Sequence, residues 1–121
     1  MTIDIFNDPN QVPQPRDEIR IEEVVATPYP DRHRVHVDLK ITPFQERPNL
    51  LLVVRDAQQR VISELDVIAT MHAHMEFTIH IRNVEDPAGE YNLYIELFYE
   101  TRKPPQDTYS GTFTIPAESD N

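Results

Sequence analysis

Apolar and polar residues alternate one by one along most of this chain. In residues 34–41, which read RVHVDLKI, four aliphatic side chains point to one face and four polar side chains to the other. This period of two is typical of a β-strand that buries one face. Residues 49–55 are apolar on both faces, which is typical of a strand inside a sheet. The pattern predicts seven strands: A (18–26), B (34–41), C (49–55), C′ (60–68), E (74–81), F (91–100) and G (109–115).

Breaks in the alternation locate bends and turns. The pair Glu22–Glu23 interrupts strand A and predicts a β-bulge. Residues 56–59 form a tight turn without glycine, so we expect a positive φ and mild strain at Gln58 or Gln59. Prolines mark most other connections. The predicted organisation is an arm of residues 1–16, one domain of residues 17–116 and a tail of residues 117–121. Residues 2–6 of the arm, which read TIDIF, are a candidate for an added edge strand.

Seven short strands in about a hundred residues are typical of an antiparallel β-sandwich. The stretch DPAGEYNLYIELF resembles the corner between strands E and F in immunoglobulin-like and fibronectin type III-like domains. The resemblance implies an all-β, seven-stranded immunoglobulin-like sandwich with sheets A-B-E and G-F-C-C′ and an extended N-terminal arm. It also implies that the Tyr91 hydroxyl bonds to upstream backbone, with Gly89 and Pro87 shaping the turn. This fold carries many unrelated functions.

Composition and charge exclude several classes of function. The 121-residue chain has a formal net charge of −10, which disfavours nucleic acid and anionic membranes as partners. It has 2 glycines and no glycine-rich phosphate loop, so we expect no nucleotide and no cofactor. It has no cysteine, which excludes disulfides and thiolate metal sites. No signal peptide or membrane span is apparent in the given chain, so we expect a cytoplasmic protein.

The histidines raise the question of a metal site. The alternation of side chains places His36 and His80 on the outward faces of strands B and E, and His33 lies in the loop before strand B. Cross-strand neighbours lie close enough to share a metal, so His36 and His80, with either His33 or Asp38, are weak candidate zinc ligands. The alternative, which we favour, is a solvated polar face. A pH-sensitive surface is a further alternative, because neighbouring histidines disfavour each other's protonation.

The outward face of the G-F-C-C′ sheet is the preferred candidate interface. Alternation directs several apolar side chains away from the core there, and apolar patches of this kind mark interaction sites. We expect this band to bind a protein partner or a second copy of the chain. Alternatively, the arm folds back and covers the band with Ile3, Ile5 and Phe6. The predicted interface residues are Leu51, Val53, Ile62 (or Val61, depending on register), Tyr94 and Phe98.

A second, weaker site comes from loops that the fold brings to one end of the sandwich. The B–C loop carries Arg47, and the F–G loop carries Arg102 and Lys103. Loops on a rigid scaffold often carry recognition, so these residues predict a basic recognition patch. The alternative, which we favour, is that they are ordinary charged loop residues.

Catalysis is not expected. No serine lies in a G-x-S-x-G elbow. The outward carboxylate pairs Glu64–Asp66 and Glu96–Glu100 are expected in water, without the burial that raises a pKa for general acid work. The predicted function is a non-catalytic interaction module. The alternative is a structural or accessory subunit of a larger assembly, and carbohydrate or metal binding is less favoured. The aromatic candidates for a carbohydrate platform are Tyr29, Tyr94, Phe98 and Tyr99.

Overall fold

A computed structural model describes residues 12–118 of the chain as two antiparallel β-sheets packed face to face. The described residues contain seven strands and no α-helix, which confirms the all-β sandwich. The three-stranded sheet has the order β1-β2-β5, and the four-stranded sheet has the order β4-β3-β6-β7. The strands are β1 (Ile21–Pro28), β2 (Arg34–Ile41), β3 (Asn49–Arg55), β4 (Val61–Val67), β5 (His74–His80), β6 (Gly89–Phe98) and β7 (Asp107–Ile115).

The strand ends differ from the prediction chiefly at β1. Arg16–Glu18 forms a short 3-10 helix, so β1 begins at Ile21 rather than at residue 18. Pro15 precedes this helix in an extended conformation, and the helix turns the chain so that Ile19 is fully buried. The pairing of β1 with β2 shifts between Ile21 and Glu23, which confirms the predicted bulge.

The alternating residues fill the space between the sheets. The inward side chains of β2 and β6 are buried almost completely, and each such aliphatic side chain stabilises the fold by about 1.5–3 kcal/mol. In β3 the side chains of both faces are buried, and the strand has a paired neighbour along each edge. The fully buried aliphatic residues are Ile19, Val35, Val37, Leu39, Ile41, Leu50, Leu52, Val54, Leu93, Ile95, Leu97 and Ile115.

Asp56 organises the turn between β3 and β4. Its Oδ1 accepts hydrogen bonds from the backbone N–H groups of Gln58 and Arg60, both at 2.9 Å. Its Oδ2 accepts one from Arg60 Nε at 2.8 Å. Burial alone raises the pKa of Asp56, but these bonds and the Arg60 charge outweigh it and lower the pKa. Gln59 has a φ of 68°, which confirms the predicted left-handed residue in this turn.

Tyr91 fixes the corner before β6. Its hydroxyl donates a hydrogen bond to the Pro87 carbonyl at 2.7 Å, so the expected bond to upstream backbone is present. Its ring stacks on Phe113 of β7 with the centroids 5.4 Å apart. Gly89 has a φ of +137°, a region that side chains with a Cβ rarely adopt. The corner therefore depends on a buried hydroxyl and on a glycine at the first position of β6.

The sandwich is closed along the side where β1 meets β7. The Ile21 N–H donates to Asp107 Oδ2 at 2.8 Å, and Gln106 Nε2 donates to the Ile19 carbonyl at 3.2 Å. Near the N-terminus, Gln14 exchanges backbone hydrogen bonds with Pro43 and Gln45 of the β2–β3 loop, each at 2.9 Å.

Several expectations about the N-terminal arm lie outside the described residues. They include cover of the apolar band by Ile3, Ile5 and Phe6, and an added edge strand in residues 2–6. Within residues 12–118, no helix is long and apolar enough to cross a membrane.

Candidate functional site

The outer face of the four-stranded sheet is built from cross-strand rows. Val53 of β3 lies between Glu64 of β4 and Tyr94 of β6. One row further along, Leu51 lies between Asp66 and Glu96. Both β3 residues therefore point away from the main core, as the alternation predicts.

The prediction that Leu51 and Val53 form an exposed apolar band is wrong. Leu51 is 6% exposed and Val53 is 3% exposed. They lie outside the main core cluster, Val53 between Glu64 and Tyr94 and Leu51 between Asp66 and Glu96. The aliphatic pair is thus buried on the outer face of the sheet, beside polar and aromatic cross-strand neighbours. The prediction that these residues bind a partner stays a prediction.

Ile62 was predicted on this outer face but packs against the main core. The pairing of β3 with β4 shifts between Val54 and Arg55, so Arg55 lies opposite Val61 and the alternation slips by one position. Such a bulge exchanges which residue faces solvent. Val61 is the residue that points out, and it is 53% exposed.

Glu96 is the centre of a polar network on this face. Its two carboxylate oxygens accept hydrogen bonds from Arg102 Nε at 2.5 Å and from the Tyr94 hydroxyl at 2.7 Å. The residue is only 8% exposed, so the prediction that this carboxylate stands open to water is wrong. Tyr94 and Phe98, the other predicted interface residues of β6, are partly buried. The signal in the sequence was Tyr94 two residues before Glu96, on the same strand face.

Each side chain of this network has a shifted pKa, and each shift favours hydrogen bonds from Tyr94 and Arg102 to an ionised Glu96. Burial alone raises the pKa of Glu96, but the bonds from Arg102 and Tyr94 and the Arg102 charge lower it overall. The hydrogen bond to Glu96, burial and the Glu96 charge raise the pKa of Tyr94. The Glu96 hydrogen bond and charge raise the pKa of Arg102. The network is therefore an ionised carboxylate held between two donors, which suits recognition better than proton transfer.

The residues of the predicted basic loop patch differ in their contacts. Arg102 turns back onto Glu96, whereas Arg47 and Lys103 are exposed in their loops. The two loops are linked instead by Arg16, which the sequence interpretation missed. Arg16 binds Glu46 at 2.8 Å and Glu100 at 2.9 Å, and its guanidinium lies 4.5 Å from the centre of the Tyr99 ring. This end of the sandwich therefore carries paired charges of both signs.

The histidines of β2 and β5 lie beside carboxylates on the outward face of the three-stranded sheet. His36 Nε2 is 2.8 Å from Glu76 Oε1, and His74 Nε2 is 2.8 Å from Asp38 Oδ1. His80 lies opposite Arg34, one row from His36.

These contacts do not make a metal centre. His33 lies in the β1–β2 loop, where its backbone N–H donates to Asp31. In the part of the chain that the structure describes, no three histidine or acidic side chains form a group that could hold a metal.

Each buried polar side chain of residues 12–118 has a structural partner. Asp56 holds the β3–β4 turn, and Glu96 holds the outer network. The Thr70 hydroxyl donates to the His72 carbonyl at 3.2 Å. The pKa is lowered in each of the carboxyl groups of Asp31, Asp56, Glu96 and Glu100. A lowered pKa is the opposite of what a general acid requires.

Comparison with known proteins identifies the architecture. No protein-family model matches the chain, and no curated protein sequence matches it. Among solved structures it is similar to a β-glucuronidase of Bifidobacterium dentium, determined in complex with coumarin-3-O-glucuronide. That match has a TM-score of 0.62 and 18% identity, and it covers 82% of this chain and 18% of the enzyme.

Two further structures give the same result. A glycoside hydrolase family 2 member from Bacteroides cellulosilyticus matches with a TM-score of 0.52 and 12% identity, over 80% of this chain and 15% of that one. A Lactobacillus rhamnosus β-glucuronidase matches with a TM-score of 0.51 and 17% identity, over 81% and 16%. This chain thus spans less than a fifth of each enzyme. At such low identity the matches establish a shared β-sandwich fold and nothing more.

Proposed function

We propose that this chain is a non-catalytic β-sandwich module that binds a protein through the outer face of its four-stranded sheet. The observation that carries the proposal is the network of Tyr94, Glu96 and Arg102 beside the covered pair Leu51 and Val53. Tyrosine and arginine supply much of the binding energy at protein interfaces. Side chains already held by hydrogen bonds lose less entropy when a partner docks.

The chemistry of the carboxylates supports a binding role over a catalytic one. The buried carboxylates Asp56 and Glu96 are each engaged by an arginine, and their pKa values are lowered. Both are therefore ionised near neutral pH, and both accept hydrogen bonds that stabilise the fold. A carbohydrate platform has less support, because no aromatic ring occurs among the exposed large apolar side chains of residues 12–118.

The similarity to much longer enzymes favours an accessory role. In each of those enzymes, a β-sandwich of this shape is a small part of the chain. We therefore favour a partner protein or a neighbouring domain as the occupant of the outer face. A second copy of this chain on the same face is the alternative, and a cytoplasmic location stays a prediction.

A photo-crosslinking experiment tests the proposed face. A benzoylphenylalanine probe at Phe98 should capture a partner in cells of the source organism. Thr108 lies opposite Glu96 and is exposed, whereas Thr114 lies on the same strand opposite Glu90, away from the network. Thr108→Arg should lower the adduct yield by about tenfold, because a bulky charge at an interface centre is hard to desolvate. Thr114→Arg is the matched control and should leave the yield unchanged.

Three outcomes would contradict the proposal. The first is equal loss of adduct in both threonine variants. The second is no adduct from Phe98 when a probe at Val25, on the outer face of β1, gives one. The third is hydrolysis of a chromogenic aryl glucuronide by the purified chain that Glu96→Gln abolishes. An adduct with the mass of two chains would show that a second copy of this chain, rather than a different protein, binds the outer face.

A further inference from the structure

The two most exposed large apolar side chains of residues 12–118 lie in the loop that joins β4 to β5. Ile68 is 73% exposed, and Met71 is 66% exposed. By contrast, Leu51 and Val53 on the outer face of the neighbouring sheet are buried. Apolar side chains grouped at a protein surface mark interaction sites. A partner can therefore reach the two apolar side chains of the loop, whereas the pair on the sheet is shielded from direct contact.

Hydrogen bonds hold the backbone of this loop. The Ala69 N–H donates to Asn49 Oδ1 at 2.8 Å, and the Thr70 N–H donates to the Pro48 carbonyl at 3.0 Å. Thr70 is buried, and its hydroxyl donates to the His72 carbonyl at 3.2 Å. The loop is thus held in one shape before binding, which reduces the entropy that is lost when a partner docks.

Ala69 gives the loop its bend. Its φ is 49°, in the left-handed region that a residue with a Cβ rarely adopts. A glycine at this position would avoid the strain, and strained backbone of this kind is concentrated at binding and catalytic sites. The bend separates exposed Ile68 from buried Thr70, and Met71 follows as the second exposed apolar residue.

The loop continues the outer face of the four-stranded sheet. The last pair of β3 and β4 joins Leu50 to Val67, so the next residue, Ile68, follows beside Asn49. The hydrogen bond from the loop backbone to the side chain of Asn49 is consistent with this position. On its other side, Asn49 lies opposite Phe98 of β6. Ile68 therefore lies at the edge of the proposed binding face, two strands away from Phe98.

Two carboxylates on the same face indicate the charge of the partner. Glu64 and Asp66 are exposed, and within the described residues neither forms an ion pair. Glu96, the third carboxylate of this face, is already paired with Arg102. A carboxylate that is left unpaired beside an apolar contact is costly to desolvate. A partner with basic side chains at this position avoids that cost and is complementary in charge.

We propose that Ile68 and Met71 are the apolar anchors of the outer-face interface, and that they enter an apolar pocket of a partner protein whose rim carries basic side chains opposite Glu64 and Asp66. This inference rests on the proposed function and names the chemistry of the partner. Isoleucine is stiff, whereas methionine adapts to an irregular pocket. A lipid surface fits poorly, because anionic headgroups repel a chain with a net charge of −10.

The benzoylphenylalanine probe at Phe98 tests the apolar anchors. Ile68→Ser and Met71→Ser should each lower the yield of the Phe98 adduct by about tenfold, because burial of one such side chain changes an equilibrium constant by roughly that factor. Val25→Ser is the matched control, because Val25 is 47% exposed on the other sheet, and it should leave the yield unchanged. All three variants should keep the urea midpoint of the native protein, since the exchanged side chains are exposed.

A charge reversal tests the basic rim. Asp66→Lys should lower the yield of the Phe98 adduct by about tenfold, because it sets like charges against each other at the interface. Glu85→Lys changes the net charge by the same amount. Glu85 is exposed in the loop that follows β5, at the opposite end of that strand from Ile68. The Glu85 variant should leave the yield unchanged, and equal loss in both lysine variants would overturn the proposed rim.

The remaining outcomes separate this inference from the proposed function. An unchanged Phe98 adduct in Ile68→Ser and Met71→Ser would overturn the inference and leave the proposed function standing. Absence of a Phe98 adduct in the native protein would overturn both. An adduct with the mass of two chains would exclude a different protein as the occupant. Flotation of the purified chain with phosphatidylcholine vesicles, if Met71→Ser abolishes it, would show that the loop enters lipid instead of a protein pocket.

Discussion

Replacing Glu96 with glutamine tests whether an ionised carboxylate holds the outer face of the four-stranded sheet. The change keeps the size of the side chain and removes its charge. In the native protein, separate oxygens accept from Arg102 Nε at 2.5 Å and from the Tyr94 hydroxyl at 2.7 Å. Glutamine offers one oxygen, and its amide nitrogen would face the second donor. One bond is therefore lost, and the other no longer involves a carboxylate.

The expected cost follows from burial. A hydrogen bond to a charged group contributes about 1.5–3 kcal/mol net when it is buried. Glu96 is 8% exposed, but the Arg102 side chain is 52% exposed, so water weakens that contribution. We expect Glu96→Gln to lower the free energy of unfolding by about 1–3 kcal/mol at pH 7.

The cost should depend on pH in a defined direction. The pKa of Glu96 is lowered in the folded protein from an ordinary value of 4.5. The unfolded chain then binds the proton first as pH falls, so this stabilisation is complete above about pH 4.5 and is lost below it. The native protein should therefore lose stability in acid, and the difference from Glu96→Gln should shrink there.

Urea unfolding at pH 7 and again near pH 3 measures both effects. The control is Glu64→Gln, because Glu64 lies exposed on the same face opposite Val53. That change should alter stability by less than about 0.5 kcal/mol. A Glu96→Gln cost that is the same at both pH values would refute the argument for a lowered pKa. No cost at either pH would refute the network itself.

Three further changes test the corner, the core and the outer face. Tyr91→Phe should lower the free energy of unfolding by about 0.5–1.5 kcal/mol, because it removes the hydroxyl bond to Pro87 but keeps the stack on Phe113; an unchanged urea midpoint would show that the bond contributes nothing. Leu52→Ala should cost about 2–5 kcal/mol, because Leu52 is 1% exposed between the sheets. Leu51→Ala should cost less, since surface side chains can close over the gap, and equal costs would contradict its place outside the core.

Much of the fold was predictable because its signals are local. Alternation along β2 follows from the two-residue period of a strand and needs no knowledge of the partner strands. The bulge at Glu22 and the left-handed Gln59 also arise within a few residues. The Tyr91 bond to Pro87 spans four residues, so a short stretch of sequence is enough to anticipate it.

The candidate site was less predictable, because the solvent exposure of an outward side chain depends on several strands together. Alternation directs Leu51 outward correctly, but its neighbours Asp66 and Glu96 are brought beside it only by the registers of β4 and β6. Whether Val61 or Ile62 points outward depends on a β-bulge, and the residues next to them give no sign of that bulge.

The sequence by itself thus determined the strands, their inward faces and the corner, because each depends on neighbours within one strand or turn. Only the tertiary structure determined which outward-facing side chains are exposed to solvent. Arg102 comes from a loop to hold Glu96, and Arg16 comes from the N-terminal side of β1 to join Glu46 and Glu100. Such pairs form across distant parts of the chain, where the register of the sheets sets the distance between charges.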